Sequence, residues 1–252
     1  VVFGKAGGTT GNTNIELSTV ATGVGGFVIN GAGASDYTGT RSSPVGDING
    51  DGLADLIVSS ENAHLTAGDN RGRAFVIFGK TSGAAVNLSS VTTTDGFSIN
   101  AGTANIGYSY VGDAGDVNGD GLADLVVGTI NADTGSTVDT GKTYVVFGRT
   151  DNSTAINLTA IENGTGGFVI TGGSADVRVG FNPSSVGDFN GDGLSDLIMG
   201  ADFKESTSFS GTTYIVYGKT STTAVSLSNA GTVAFAIVGQ ALGDQAYRAT
   251  SA

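Results

Sequence analysis

The chain has 252 residues, of which 39% are hydrophobic and 13% charged, so it can build a core but must cover its surface largely with Ser, Thr, Asn and Gly. Its 43 Gly and 2 Pro exclude collagen, which needs Gly at every third position together with abundant Pro. The net charge of −12 excludes nucleic acid and anionic membrane surfaces as favourable partners. No Cys is present, which excludes a disulfide framework. No apolar run reaches about 18 residues, so we expect no direct membrane insertion.

Three short signatures recur along the chain with a period of about 70 residues. The first ends an apolar run with an aromatic residue and Gly, at Phe3-Gly4, Phe78-Gly79, Phe147-Gly148 and Tyr217-Gly218. The second places Phe in an apolar run at Phe27, Phe97, Phe168 and Phe235. The third is an Asp-rich loop that begins at Asp47, Asp116 and Asp188. Because all three signatures keep the same period, they indicate a tandem array of one structural unit.

Each unit contains four strand-like pieces. In the middle unit they cover residues 108–111, 123–127, 143–147 and 167–170, and they are rich in β-branched and aromatic residues between turn-forming ones. No stretch shows helical periodicity over about ten residues. Four antiparallel strands per unit are typical of a propeller blade, so the predicted fold is an all-β β-propeller of four-stranded antiparallel blades. A β-solenoid is the structural alternative, although its coils are usually shorter than this period.

The repeat boundaries predict how the blades divide the chain. We expect residues 1–252 to form a segment of one propeller: a partial blade of third and fourth strands in 1–40, blades in 41–105, 106–175 and 176–240, and the start of another in 241–252. The two end pieces together lack the second strand of a blade, and a gap inside a sheet leaves backbone groups unpaired. The expectation is therefore that this segment belongs to a longer ring.

The Asp-rich loop reads Asp-x-Asn-Gly-Asp-Gly-Leu-x-Asp in all three copies. Calcium prefers six to eight oxygen ligands, and positions 1, 3, 5 and 9 carry oxygen-bearing side chains while the Leu at position 7 offers its carbonyl. Gly at positions 4 and 6 lets the chain curl tightly, and the Leu side chain is expected to anchor the loop in the core. The predicted ligands are Asp47, Asn49, Asp51, Leu53, Asp55, Asp116, Asn118, Asp120, Leu122, Asp124, Asp188, Asn190, Asp192, Leu194 and Asp196.

About three Ca²⁺ ions are therefore expected, one for each loop. The loops contain no His or Cys, which disfavours zinc and copper. The alternative is an Asx-rich turn without a metal. Three copies in register weaken that alternative, because each places three carboxylates within nine residues and these charges repel one another without a cation.

The loops, the Asp-Leu-Ile/Val strand after each and the Tyr-Val-Val-Phe-Gly strand resemble the FG-GAP repeats of integrin α-subunit propellers and their bacterial relatives. The resemblance implies structural calcium on one face of the disc and ligands on the opposite face. The Phe-Gly of the family name is replaced by Ile106-Gly107 and Val179-Gly180 in two repeats, so integrin ligand binding is not carried over. Together with the missing cysteines, this indicates a bacterial extracellular member.

The expected function is a binding, adhesion or surface-assembly module at an extracellular or cell-surface location. Its partners would be a protein or glycan ligand, or further copies of itself. We expect no enzyme and predict no catalytic residue, since His64 is the single histidine and no nucleophile motif accompanies it. A polysaccharide lyase or hydrolase on a propeller scaffold is one alternative. A structural spacer of a sheath, filament or surface layer is another.

Overall fold

A computed structural model describes residues 1–4, 14–63, 72–101, 109–151, 155–202, 211–229, 231–241 and 244–247. His64 and the Ile106-Gly107 pair lie outside these ranges. The strands are β1 (Ile29–Asn30), β2 (Thr38–Val45), β3 (Asp55–Ser60), β4 (Arg73–Ile77), β5 (Val86–Asn87), β6 (Gly96–Asn100), β7 (Ser109–Gly115), β8 (Asp124–Thr129), β9 (Lys142–Val146), β10 (Ile156–Asn157), β11 (Gly167–Thr171), β12 (Val179–Gly187), β13 (Asp196–Ala201), β14 (Thr212–Val216), β15 (Val225–Ser226) and β16 (Ala234–Val238).

The helical elements are single turns. They are the α-helices α1 (Leu17–Ala21) and α2 (Leu158–Glu162) and the 3-10 turns Leu88–Ser90 and Leu227–Asn229. Of the helices in the described ranges, none is long and apolar enough to cross a lipid bilayer.

Three antiparallel sheets form the body of the protein. The first contains β2, β3, β4 and β6, the second β7, β8, β9 and β11, and the third β12, β13, β14 and β16. In each sheet the four strands follow one another in chain order, which is the meander of a propeller blade. The predicted all-β, propeller-like fold class is confirmed. We call these sheets the first, second and third blades.

Both ends of the chain pack beside complete blades. At the start, Val2 forms a bridge with Gly26, and the rings of Phe3 and Phe27 lie 6.0 Å apart. At the other end, the Tyr247 ring meets Phe181 edge-on at 5.2 Å. The first strand of the first blade begins at residue 38, three residues before the predicted boundary at 41. Of the predicted final segment 241–252, the structure describes residues 241 and 244–247.

The middle blade is apolar on both faces because it lies between two others. Every residue of β8 is buried. Leu125 and Val127 pack into a core shared with Ile57 of the first blade, whereas Val126 packs into a core shared with Leu197 of the third. A strand buried on both faces reads as a continuous apolar run, which explains the Leu-Val-Val sequence after the Asp loop.

Short parallel strands link each blade to the one before it. β5 pairs with β1, β10 with β6 and β15 with β11, so a two-residue strand lies along the outer strand of the preceding blade. A helical turn follows each one. Sequence analysis missed these links, although the tetrads Ala85–Leu88, Ala155–Leu158 and Ala224–Leu227 recur in register as Ala-Val/Ile-Asn/Ser-Leu.

We expect Leu158→Ala to lower the free energy of unfolding by about 2–5 kcal/mol, because this first residue of α2 is 0% exposed and its loss leaves a cavity between two blades. Leu17→Ala is the matched control, since Leu17 is the first residue of α1 and is 72% exposed. Urea unfolding followed by circular dichroism measures both. Equal stabilities for the two variants would contradict the packing assigned to α2.

Candidate metal site in the Asp loops

The three Asp loops join the first and second strands of the three blades. They connect β2 to β3, β7 to β8 and β12 to β13, so all three lie at the same end of their blades. The Gly residues at positions 4 and 6 have positive φ, 78° at Gly50 and 86° at Gly52 in the first loop. This left-handed backbone favours Gly and curls the loop back over its first residue.

The carboxylate at position 1 is the centre of each loop. Asp47 Oδ1 accepts hydrogen bonds from the backbone N–H groups of Gly50 (2.7 Å) and Asp51 (3.0 Å), and its Oδ2 accepts one from Gly52 (2.7 Å). Asp116 and Asp188 accept the equivalent bonds in the other loops, at 2.7–3.1 Å. The backbone is therefore wrapped around this carboxylate in all three copies.

Positions 3 and 5 turn toward each other inside the loop. Asn49 Oδ1 accepts from the Asp51 N–H (2.9 Å), and Asn49 Nδ2 donates to Asp51 Oδ2 (3.0 Å). Asp51 Oδ1 accepts from the Leu53 N–H (2.9 Å). The same three bonds occur among Asn118, Asp120 and Leu122 and among Asn190, Asp192 and Leu194. Each loop thus brings its position 1, 3 and 5 oxygens together.

The Asp at position 9 fastens the loop to the third strand of its blade. Asp55 is 3% exposed, and its Oδ2 accepts from the Ile48 N–H (2.9 Å) while its Oδ1 accepts from the Gly79 N–H (2.7 Å). Asp124 and Asp196 make the equivalent bonds, reaching Gly148 (2.7 Å) and Gly218 (2.8 Å). The glycines are those of the recurring aromatic-Gly signature, so two of the three repeated motifs meet at this carboxylate.

The Leu at position 7 lies against the aromatic-Gly motif of its own blade, since a Cβ atom on Gly148 would lie 2.7 Å from Leu122 Cβ, and it also reaches the preceding Asp loop. If Gly50 carried a Cβ atom, that atom would lie 3.2 Å from Leu122 Cδ2. A Cβ atom on Gly119 would likewise lie 2.8 Å from Leu194 Cδ2. Each of these Leu side chains therefore covers the position 4 Gly of the preceding loop. Leu53 has no preceding Asp loop in this sequence and is 38% exposed.

Burial makes the carboxylates of Asp55 and Asp124 difficult to ionise. Desolvation raises the pKa of Asp55 to about 6 and the pKa of Asp124 to about 7. Backbone N–H donors lower both pKa values, whereas the neighbouring loop carboxylates raise them further. A smaller part of each rise therefore reflects the negative charge of the other two carboxylates of the same loop.

The oxygen set of each loop fits a hard cation. Asp47 Oδ2, Asn49 Oδ1 and Asp51 Oδ1 each accept a single backbone N–H, which leaves acceptor capacity on all three atoms. In the described part of the chain, no three Asp, Glu, His or Cys side chains converge as metal ligands on their own. A calcium ion held here would therefore also need the Asn oxygen and the carbonyl at position 7, both of which are ligands calcium accepts.

A polar groove of about 580 Å³ runs along the first strands of the three blades. It is lined by residues 40–43, 110–112 and 182–184, and each of these segments ends four residues before the first Asp of its loop. The Arg41 guanidinium lies 3.7 Å from the centre of the Tyr110 ring. The groove is thus separate from the candidate metal loops.

Blades of this kind, each with an Asp loop of one design between its first and second strands, define a propeller-like repeat protein. Residues 38–77 and 184–216 match the family model described as FG-GAP repeat, so these two segments of the chain are FG-GAP repeats. The first match spans β2 to β4 with their loop, and the second covers the corresponding part of the third blade. FG-GAP repeats occur in integrin-α-like extracellular binding modules. No curated protein matches the chain.

We expect Asp124→Asn to lower the free energy of unfolding by about 1–3 kcal/mol with or without calcium. The two oxygens of Asp124 accept from the N–H groups of Val117 and Gly148, and an Asn side chain has only one oxygen, so one of these N–H groups would face an NH₂ group and lose its acceptor. Asp151→Asn is the control, since its carboxylate is exposed and pairs with Arg149 at 3.4 Å. Chemical unfolding in chelator measures the effect. A wild-type midpoint for Asp124→Asn would show that the position 9 carboxylate does not fasten the loop.

Proposed function

We propose that this protein is a calcium-stabilised extracellular binding module that recognises a protein or glycan. The observation that carries the proposal is the repetition of one loop geometry. In all three loops the position 1 carboxylate is wrapped by three backbone N–H groups, and the oxygens at positions 3 and 5 turn inward beside it. A turn that served only to reverse the chain would not require the same three oxygen-bearing side chains in every copy.

The calcium would be structural. Each loop joins two strands of a blade, and its position 9 carboxylate already fastens it to a third strand. The ion would be held by the position 1, 3 and 5 side chains and the Leu carbonyl, and it would neutralise the carboxylates crowded there. The chain's own residues then orient the loop, close it through backbone N–H bonds and connect it to the blade core.

The groove along the first strands is the proposed ligand-binding surface. Its lining combines hydroxyl groups of Thr40, Ser42 and Ser184 with the amide of Asn182 and the Tyr110 ring. The hydroxyl and amide groups are suited to hydrogen bonding with a sugar or a polar peptide, whereas the Tyr110 ring is 7% exposed and is covered by Arg41 and Phe181. The occurrence of FG-GAP repeats in extracellular proteins supports an extracellular or cell-surface location for this binding.

Removing calcium is expected to lower the melting temperature sharply. A site that binds only the folded chain contributes about 2.7 kcal/mol when free calcium is 100 times Kd. Differential scanning calorimetry with calcium and with excess chelator measures the shift. The triple variant Asp51→Asn, Asp120→Asn, Asp192→Asn is the control, because it loses one charged ligand from every loop and should show a much smaller calcium-dependent shift. An unchanged wild-type melt in chelator would refute structural calcium.

Filling the groove is expected to abolish ligand capture without affecting the fold. Ser42→Trp places a bulky side chain at an exposed position of the groove wall, whereas Ser18→Trp places the same side chain on exposed helix α1. Glycan and protein arrays probed with labelled wild-type chain identify a ligand, and the two variants are then compared on it. Equal ligand binding by both variants, with unchanged melting temperatures, would show that the groove is not the ligand-binding surface.

A further inference from the structure

Arg41 is the single charged residue among the ten that line the groove in the described part of the chain. The repeat places Arg41, Tyr110 and Asn182 at equivalent positions, each six residues before the first Asp of its loop. All three line the groove, so each blade contributes one large polar side chain to it, and only that of the first blade is charged. The groove therefore presents a positive side chain although the whole chain has a net charge of −12.

The Arg41 guanidinium ends a ladder of stacked side chains. Its Cζ lies 3.7 Å from the centre of the Tyr110 ring, and the Tyr110 and Phe181 ring centres lie 4.4 Å apart. Tyr247 follows Phe181 at 5.2 Å. Because these rings already hold the guanidinium in place, it loses little further conformational freedom when it binds a ligand.

The hydrogen-bond donors of this guanidinium are not used by the fold. Glu61 Oε1 lies 4.0 Å from Arg41 Nε, too far for a hydrogen bond, so Glu61 offsets part of the charge without accepting a proton. Nε is shielded from water and has no acceptor among the described residues. The side chain as a whole is 38% exposed and lines the groove, so its two terminal nitrogens are the donors that a ligand can reach. Buried donors are generally paired in native proteins, and this arginine therefore has more donor capacity than the fold uses.

The rest of the lining favours a sugar over a peptide. Its other polar side chains are four hydroxyl groups and one amide, from Thr40, Ser42, Ser43, Ser184 and Asn182. Its two aliphatic side chains form no apolar pocket, because Pro183 is buried and Val111 packs against the core shared by the first and second blades. Peptide-binding grooves take up apolar side chains in such pockets, whereas the hydroxyl groups of a sugar match hydroxyl and amide partners.

We propose that the groove binds a glycan through a sugar that carries a carboxylate, a uronic acid unit, with Arg41 as its anchor. The inference rests on the proposed function, since it takes the groove as the ligand-binding surface. The terminal nitrogens of Arg41 would donate a pair of hydrogen bonds to the two carboxylate oxygens, a geometry for which the planar guanidinium is suited. The hydroxyl and amide groups of the lining would bond the sugar hydroxyls beside it.

Matched pairs of oligosaccharides test the proposal. The probes are hexasaccharides of hyaluronan, galacturonan and mannuronan, each beside a counterpart whose carboxylates are reduced to alcohols, and surface plasmon resonance in calcium buffer measures their binding. Arg41→Met removes the guanidinium but keeps a long side chain against Tyr110. Arg149→Met is the matched control, because the Arg149 guanidinium also lies over a ring, 4.8 Å from the centre of Phe97, but outside the groove lining. Melting temperatures are measured for every variant.

The wild-type chain should bind at least one carboxylated hexasaccharide at least about tenfold more tightly than its reduced counterpart. Arg41→Met should lose this preference and at least about tenfold in affinity, whereas Arg149→Met should keep both. Arg41→Lys should bind with intermediate affinity, since it keeps the charge without the paired donors, and it serves as the test if Arg41→Met does not fold.

Two kinds of failure can be told apart with the groove-filling variant Ser42→Trp. Equal binding of carboxylated and reduced sugars, or of wild type and Arg41→Met, overturns the anchor, while the groove remains the ligand site if Ser42→Trp still abolishes binding. Capture of acidic peptides alone, or of no carboxylated probe, also overturns the inference. Unchanged sugar binding by Ser42→Trp would overturn the inference and the proposed binding surface together.

Discussion

A blade of this protein is a sheet with two apolar faces, and no such sheet is stable in water unless both faces are covered. The middle blade satisfies this condition completely, since alternate residues of β8 enter the cores shared with the first and third blades. The contacts between neighbouring blades follow from this need to cover both faces. The short parallel strands, the Leu at position 7 and the loop carbonyls all hold one blade against the next at a fixed spacing.

The Asp loop performs two distinct tasks within nine residues. The position 9 carboxylate is buried and bonded to the backbone of both its own loop and the third strand, so it belongs to the fold. The oxygens at positions 1, 3 and 5 retain acceptor capacity, so they are the atoms available to a cation. Burial is the main cause that raises the pKa of Asp124, and the Asp120 and Asp116 carboxylates raise it further. A bound calcium ion would relieve the contribution of those two neighbouring charges.

Much of this arrangement can be predicted from the sequence because it repeats. The common period places the loops, the long strands and the aromatic-Gly motif in one unit, and the alternation of Gly and Asp in the loop indicates its curl. The two-residue strand at Ile156–Asn157 is too short for an alternating pattern to reveal it, and only the recurrence of its Ala-Val/Ile-Asn/Ser-Leu tetrad marks its position in the sequence. The contact of Leu122 with Gly50 could not be foreseen, because Gly50 lies in a different repeat.

Calcium binding by the oxygens at positions 1, 3 and 5 can be measured directly. Isothermal titration calorimetry of the calcium-free chain with CaCl₂ counts the ions that these loops hold. We predict one ion per loop, and a stoichiometry that falls by one when Asp120 alone is replaced by Asn. A folded chain that binds no calcium would contradict it, and the three loops would then be turns closed by their own hydrogen bonds.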